Sequence, residues 1–363
     1  MCPRGTGPAF ADYLGWCTWD SFYTDLTADG VLGGLNSFQG TGVTPRFMIL
    51  DDGWQGTTVD DKANSYQWAG RLTTFDANFK FADGYDGFPL EGGGGSGSDA
   101  FSEPPAGTLL GASGRNITTR HSLSTLVEQI KQLHNIKHMF VWHTLMGYWS
   151  GVHVPGTNED EVEGSDVAKF PTALASYLPE NTFADLSATM QRMSMAKALD
   201  DEPFATEGIG LVCPSRVDAF FNDYHLALRA MGVDGVKVDA QSLIGSLRSE
   251  RGGGFGLTLA YHIALKASIS SNFGAPDEAE FPIIHCMAHS QATLMAILAL
   301  YFDVQDPDAA ELAEASRQQR RLPVVRGSDD FWPKEVASHG PHLMANAVNA
   351  LLISQIGLHD WVR

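Results

Sequence analysis

The sequence predicts an α/β fold built on a parallel sheet, either a barrel or doubly wound, and three observations predict it. Short continuous apolar runs recur along the chain, which suits parallel strands buried on both faces. Amphipathic segments with helical spacing lie between them, as repeated strand–helix units require. Nearly every run then ends in acidic or aromatic residues.

The first run, Leu14 to Trp19, leads into a polar turn. Phe47 to Leu50 is continuously apolar and ends in Asp51-Asp52-Gly53-Trp54. Residues 82–115, with Gly92 to Gly95, read as a loop, since such glycine density supports no regular element. Leu123, Leu126, Val127, Ile130 and Leu133 follow an i, i+3, i+4, i+7 pattern, with Ser122 as a candidate cap. Met139 to Trp142 is the next strand, followed by His143. Residues 150–208 are polar and too long for a simple connection, so they read as an insertion over one face. Val217, Phe220, Phe221, Tyr224 and Leu228 repeat the helical pattern, and Gly232 is its stop. Val233 to Asp239, Pro282 to Cys286 and Leu322 to Arg326 are the remaining strands.

Composition bounds the function. The 363 residues suit one large domain or two modest ones. Lys plus Arg number 24 against 43 for Asp plus Glu, a formal charge of −19. That acidic balance argues against nucleic-acid and anionic-membrane partners, which need a basic footprint. No apolar run reaches the roughly 18 residues of a membrane-spanning helix, and the N-terminus lacks the apolar core of a secretory signal. The four cysteines are scattered without metal-ligand spacing and read as reduced thiols. A cytoplasmic globular protein, an enzyme more readily than a scaffold, is the expectation.

The strand ends carry the chemistry. Trp19-Asp20, Asp51-Asp52, Trp142-His143, Lys237-Val238-Asp239 and the segment from Arg326 to Trp332 all fall there. In a parallel barrel the C-terminal strand ends open onto one face, where a pocket forms. Carboxylates accept hydrogen bonds from sugar hydroxyls, and indole faces cover the apolar side of a pyranose. A single strand-end Asp is as often a helix cap. Lys237 and Asp239 point to one face, however, and a buried Lys and Asp are costly unless they pair or work.

The quoted residues lie in segments that resemble the plant raffinose synthase, seed-imbibition protein and alkaline α-galactosidase group of glycoside hydrolase family 36. They are LGWCTWDSFYTDLTADGV (14–31), FMILDDGWQ (47–55), RLTTFDANFKF (71–81), HMFVWHTLMGYWSGV (138–152), GVDGVKVDAQ (232–241) and VRGSDDFWPKEVASHGPH (325–342). The resemblance implies a (β/α)8 TIM barrel, taken as one catalytic domain over residues 1–363 with insertions at about 82–115 and 150–208. It implies a retaining enzyme that transfers terminal α-galactosyl groups, resembling galactinol–sucrose galactosyltransferase. The alternative is an alkaline α-galactosidase acting on raffinose-type oligosaccharides. It makes Asp239 the nucleophile of a mechanism that needs no metal or organic cofactor. The Arg-x-x-x-Asp spacing selects Asp330 as acid/base, whereas alignment on the Ser-Asp pair selects Asp329. Asp51, Asp52, Trp19, Lys237 and Arg326 match galactose contacts, and Trp142, His143 and Cys286 match pocket wall.

Departures from the family add expectations. Relatives carry a β-sandwich before the barrel and another after it, and the match stops short of an eighth strand. The barrel is therefore expected to be incomplete at its C-terminal end, with open edges. Two rival readings are a catalytically inactive sugar-binding remnant and a doubly wound nucleotide-binding enzyme. The second fails because no strand is followed by a glycine-rich phosphate loop.

Overall fold

The computed structural model describes residues 9–59, 69–81, 123–156, 164–177, 207–249, 252–274, 282–301, 324–326, 330, 336–353 and 358–360. The elements run in chain order as β1 (Gly15–Cys17), α1 (Trp19–Phe22), α2 (Ala28–Ser37), β2 (Phe47–Leu50), β3 (Gln55–Thr57), β4 (Leu72–Ala77), α3 (Leu123–His134), β5 (His138–Thr144), β6 (Thr172–Tyr177) and β7 (Ile209–Val212). They continue as α4 (Val217–Ala230), β8 (Gly235–Asp239), β9 (Leu247–Ser249), β10 (Gly252–Gly253), α5 (Gly254–Asn272), β11 (Ile283–His285), α6 (Gln291–Tyr301), β12 (Val324–Arg326), α7 (Val336–Ile353) and β13 (Leu358–Asp360). Ser122 and the whole of 82–115 lie outside the described residues, as do parts of 150–208.

Seven strands form the main sheet in the order β1-β2-β5-β8-β11-β12-β13, every pair parallel. Spatial order follows chain order throughout, and a helix precedes each strand after the first. A doubly wound sheet reverses direction at a switch point, and this one does not. It is a singly wound α/β sheet. The strands at its two ends, β1 and β13, do not pair with each other among the described residues.

Alternation along the strands divides the sheet into two unlike faces. Met48, Leu50, Met139, Val141, Val236, Val238 and Ile283 belong to one large core with helix residues Val31, Leu126, Phe220, Tyr224 and Leu265. Phe47, Ile49, Phe140, Ile284 and Val324 point the other way and pack with Phe10 in a separate cluster. There the rings of Phe10, Phe47 and Phe140 lie 4.7 to 5.0 Å apart. Gly235 makes room for this plug, because a Cβ there would stand 2.6 Å from the Phe140 ring and 2.4 Å from the Pro282 carbonyl.

A second, antiparallel sheet, β10-β9-β6-β7, includes β6 from the 150–208 insertion. The hairpin β3-β4 follows β2 and is antiparallel.

Candidate active site

The inner face becomes polar at its C-terminal end. Continuing each strand by the same parity from the apolar plug, Ile49 leads to Asp51, Phe140 to Trp142, Gly235 to Lys237 and Asp239, Ile284 to Cys286, and Val324 to Arg326. Parallel direction then sets these side chains at one mouth.

Asp51 is the deepest anchor. Lys237 Nζ donates to its Oδ2 at 2.6 Å, and the Cys17 thiol donates to the same oxygen at 3.0 Å. Burial would raise the Asp51 carboxyl, but Lys237 outweighs it and holds the group below its ordinary value. Burial likewise opposes the charge on Lys237, and Asp51 overcomes it, so its pKa stays well above normal. The turn after Asp51 needs Gly53, whose φ is +106° and whose missing Cβ would lie 2.9 Å from the Thr24 carbonyl.

Asp52 is held on both oxygens, by Tyr148 Oη and Trp149 Nε1, each at 2.8 Å. Burial pushes its carboxyl up to about 6, opposed by those two hydrogen bonds and reinforced by the Asp51 charge. Trp142 Nε1 donates to Asp239 Oδ2 at 2.9 Å, and the Ala240 backbone N–H donates to Asp239 Oδ1 at 2.7 Å. The chain leaves β8 and β11 through left-handed residues, Ala240 at φ +53° and Met287 at +45°. Such conformations cost about 1–3 kcal/mol each and gather at functional sites.

Opposite lies the arginine cluster. Arg326 Nη2 donates to Asp330 Oδ1 at 2.6 Å, and Nη1 reaches the Cys286 sulfur at 3.5 Å. Burial pushes the Cys286 thiol up to about 12, with the Asp239 charge adding to it, so it remains protonated. Trp19 Nε1 donates to Asp330 Oδ2 at 3.0 Å. Asp20 stands exposed beside it, its carboxyl pushed up to about 6 by partial burial and the Asp330 charge.

The structure thus brings Trp19, Asp51, Asp52, Trp142, Lys237, Asp239, Cys286, Arg326 and Asp330 to one end of the sheet. It does not bring His143. That ring points to the helix face, packs 5.2 Å from Tyr224, donates Nδ1–H to the Thr144 carbonyl at 2.8 Å and sets Nε2 3.3 Å from His225 Nε2. Asp329 lies outside the described residues. Sequence reasoning named Asp20 among the strand-end acids but gave it no role, and it passed over Cys17, Tyr148 and Trp149, although all sit in the segments that carry the resemblance. Among the described residues no three His, Cys, Asp or Glu side chains form a group that could hold a metal ion. None of the described helices is long and apolar enough to cross a membrane.

A family model, raffinose synthase or seed imbibition protein Sip1, matches residues 4–362. The chain belongs to the raffinose synthase and seed imbibition protein family. Among relatives, it is 34% identical to probable galactinol–sucrose galactosyltransferase 1 of Arabidopsis thaliana, over 98% of this chain and 39% of that protein. It is 30% identical to galactinol–sucrose galactosyltransferase of Oryza sativa subsp. japonica, over 98% of this chain and 38% of that protein. Stachyose synthase of Pisum sativum is 26% identical, over 98% of this chain and 44% of that protein. This family member thus spans about two-fifths of the length of the curated relatives it matches. Solved structures are similar more loosely. The α-galactosidase of Lactobacillus brevis has a TM-score of 0.40 at 12% identity, covering 96% of this chain and 37% of that one. A β-L-arabinopyranosidase of Geobacillus stearothermophilus has 0.43 at 15% identity, covering 96% and 59%.

Proposed function

We propose that this chain carries out retaining α-galactosyl transfer from galactinol to sucrose, on a wall of a (β/α)8 barrel. The observation that carries the reading is that Asp239 and Asp330 stand at one mouth, each held through both carboxylate oxygens. The names of the relatives support the choice of donor and acceptor.

Asp239 is the nucleophile. It attacks the anomeric carbon while the bond to the leaving oxygen breaks, and Asp330 gives that oxygen its proton. The product is a galactosyl ester of Asp239. In the second half, the Asp330 carboxylate takes the proton of a sucrose hydroxyl, whose oxygen attacks the same carbon and frees Asp239. Two inversions give net retention. The Arg326–Asp330 ion pair, 2.6 Å long, is suited to this second half, where the carboxylate must be charged. Asp51 and Asp52 accept hydrogen bonds from galactose hydroxyls, with Lys237 as the cation that keeps Asp51 ionised.

Hydrolysis uses the same residues, with water in place of sucrose. Incubation with galactinol, with and without sucrose, separates the two outcomes by the sugars formed. Raffinose is expected when sucrose is present, and free galactose alone would favour the hydrolase. Asp239→Asn is nearly isosteric and should lower both by roughly 10³-fold or more. Unchanged turnover in that variant would remove the mechanism.

A further inference from the structure

Trp19, Asp20 and Tyr23 share one short segment at the mouth, and beside Trp19, which bonds Asp330, the mechanism leaves Asp20 and Tyr23 unused. We propose that Asp20 and Tyr23, outward of Trp19, form the surface that receives the leaving-group and acceptor ring, a polyhydroxylated saccharide or cyclitol. The proposal deepens the galactosyl-transfer reading and rests on it.

Position comes first. The Trp19 Nε1–Asp330 Oδ2 bond at 3.0 Å sets this indole against the carboxyl assigned to the leaving oxygen. Whatever lies on the open side of that carboxyl touches the aglycone. The donor side lies deeper, where Asp51, Asp52 and Lys237 are buried.

Tyr23 continues the aromatic surface outward. Its ring meets that of Trp19 edge to face, with centroids 5.2 Å apart at 87°. It is 37% exposed, and its backbone sits at φ +48°, a region that bulky side chains avoid. The next residue is locked in place, because Gly53 packs against the Thr24 backbone and Lys80 Nζ donates to the Thr24 carbonyl at 2.5 Å. A strained, exposed aromatic on a pinned turn is more than folding requires.

Asp20 supplies the polar element. Its carboxylate is exposed and makes no hydrogen bond among the described residues, yet it feels Asp330, Arg326, Asp51 and Lys237. It follows directly on Trp19, whose indole bonds Asp330, and so belongs to the rim of the mouth. An acceptor-only carboxylate beside an aromatic ring is the pairing that holds a polyol: the oxygens take vicinal hydroxyls, and the ring takes the C–H face.

The test compares Asp20→Asn and Tyr23→Gly with the unaltered chain. Glycine suits the positive φ, so Tyr23→Gly removes the ring without adding strain. The first readout is the partition between transfer to sucrose and hydrolysis, using an activated aryl α-galactoside as donor. A fall in that ratio of about 10-fold is expected, carried by a higher KM for sucrose. The second readout needs no turnover. In an Asp239→Asn background, each change should weaken galactinol and sucrose binding by about 10-fold while free galactose shifts less than about 2-fold. An unchanged partition ratio with unchanged galactinol and sucrose affinities overturns the proposal. So does a parallel loss of galactose affinity, which leaves the transfer reading standing. Absence of galactosyl turnover in the unaltered chain, with the binding pattern as expected, overturns the transfer reading instead.

Discussion

Lys237 and Asp51 form an ion pair with side chains only 5% and 3% exposed, so each charge depends on the other. Removing one partner of such a pair leaves the other buried and uncompensated, at about 3–5 kcal/mol. Lys237→Met should therefore destabilise the fold by that order in urea unfolding at neutral pH. The sign of its pH dependence follows from Asp51. With Lys237 present, the carboxyl lies below its ordinary value, and stability from it is lost as pH falls. Without Lys237, burial is opposed only by the bonds from the Cys17 thiol and the Asp52 N–H, so protonation at low pH relieves part of the strain. The gap between variant and unaltered chain should thus narrow from pH 7 to about pH 4.5. A gap that stays constant would show that the loss comes from packing around the lysine stem. The same scale shows how readable the site was. Lys237 and Asp239 were legible because two charges two residues apart on an apolar strand must share a buried face. The same parity places His143 opposite Trp142, so its assignment to the pocket wall gave too little weight to alternation. Tyr148 and Trp149 were illegible for another reason: which way a loop side chain turns depends on tertiary contacts.

The main-sheet strands were the most readable elements, because burial on both faces writes them as unbroken apolar runs; Phe47–Leu50 is apolar at all four positions. The antiparallel sheet was not readable. Leu247–Ser249 and Gly252–Gly253 are too short for a period to show, and Thr172–Tyr177 pairs with strands far along the chain. Between strands and helices lies a layer of buried imidazoles with acid sensitivity built in. His143 of β5 meets His225 of α4, and His285 of β11 meets Gln241, which also bonds His262 of α5. Burial lowers His143 and His262 to about 4 and His285 to about 3, and it depresses His225 as well. The unfolded chain binds protons that these folded groups refuse. Stability is then full above about pH 6.5 and falls as the pH drops toward 4, by about 2 kcal/mol at pH 5 for each histidine lowered to about 4 or below, with His225 acting in the same direction. Asp52 works the other way, since a raised buried carboxyl gains about 1 kcal/mol on acidification, and the more exposed Asp20 adds to it in the same direction. The four histidines outnumber these two acids. The urea midpoint should fall clearly between pH 7.5 and pH 5, and a flat or rising midpoint would mean that the helix–sheet layer takes up protons without opening.

Trp19 and Asp330 sit beside strands five steps apart in the sheet, yet their side chains are 3.0 Å apart. In a flat sheet five strand spacings come to roughly 24 Å, far beyond the reach of an indole and a carboxyl. The sheet must curl until its first strand faces its sixth. That curvature governs the chemistry, because it sets how far apart the two proposed catalytic carboxyls stand. Strands β8 and β12 flank β11, two spacings or roughly 10 Å apart at the backbone. Asp239 is held by Trp142 at the end of β8, and Asp330 by Arg326 at the end of β12. The proposed ester on Asp239 requires their carboxyls to stand at roughly the 5–5.5 Å of retaining enzymes, closer than the roughly 6.5–9.5 Å that an inverting water needs. The expected first product from an α-galactoside is accordingly the α-anomer. Proton NMR at early times, before mutarotation, reads this directly from the anomeric doublet. Early appearance of β-galactose would mean that a water fits between the carboxyls. The galactosyl ester on Asp239 would then be excluded, whatever the acceptor.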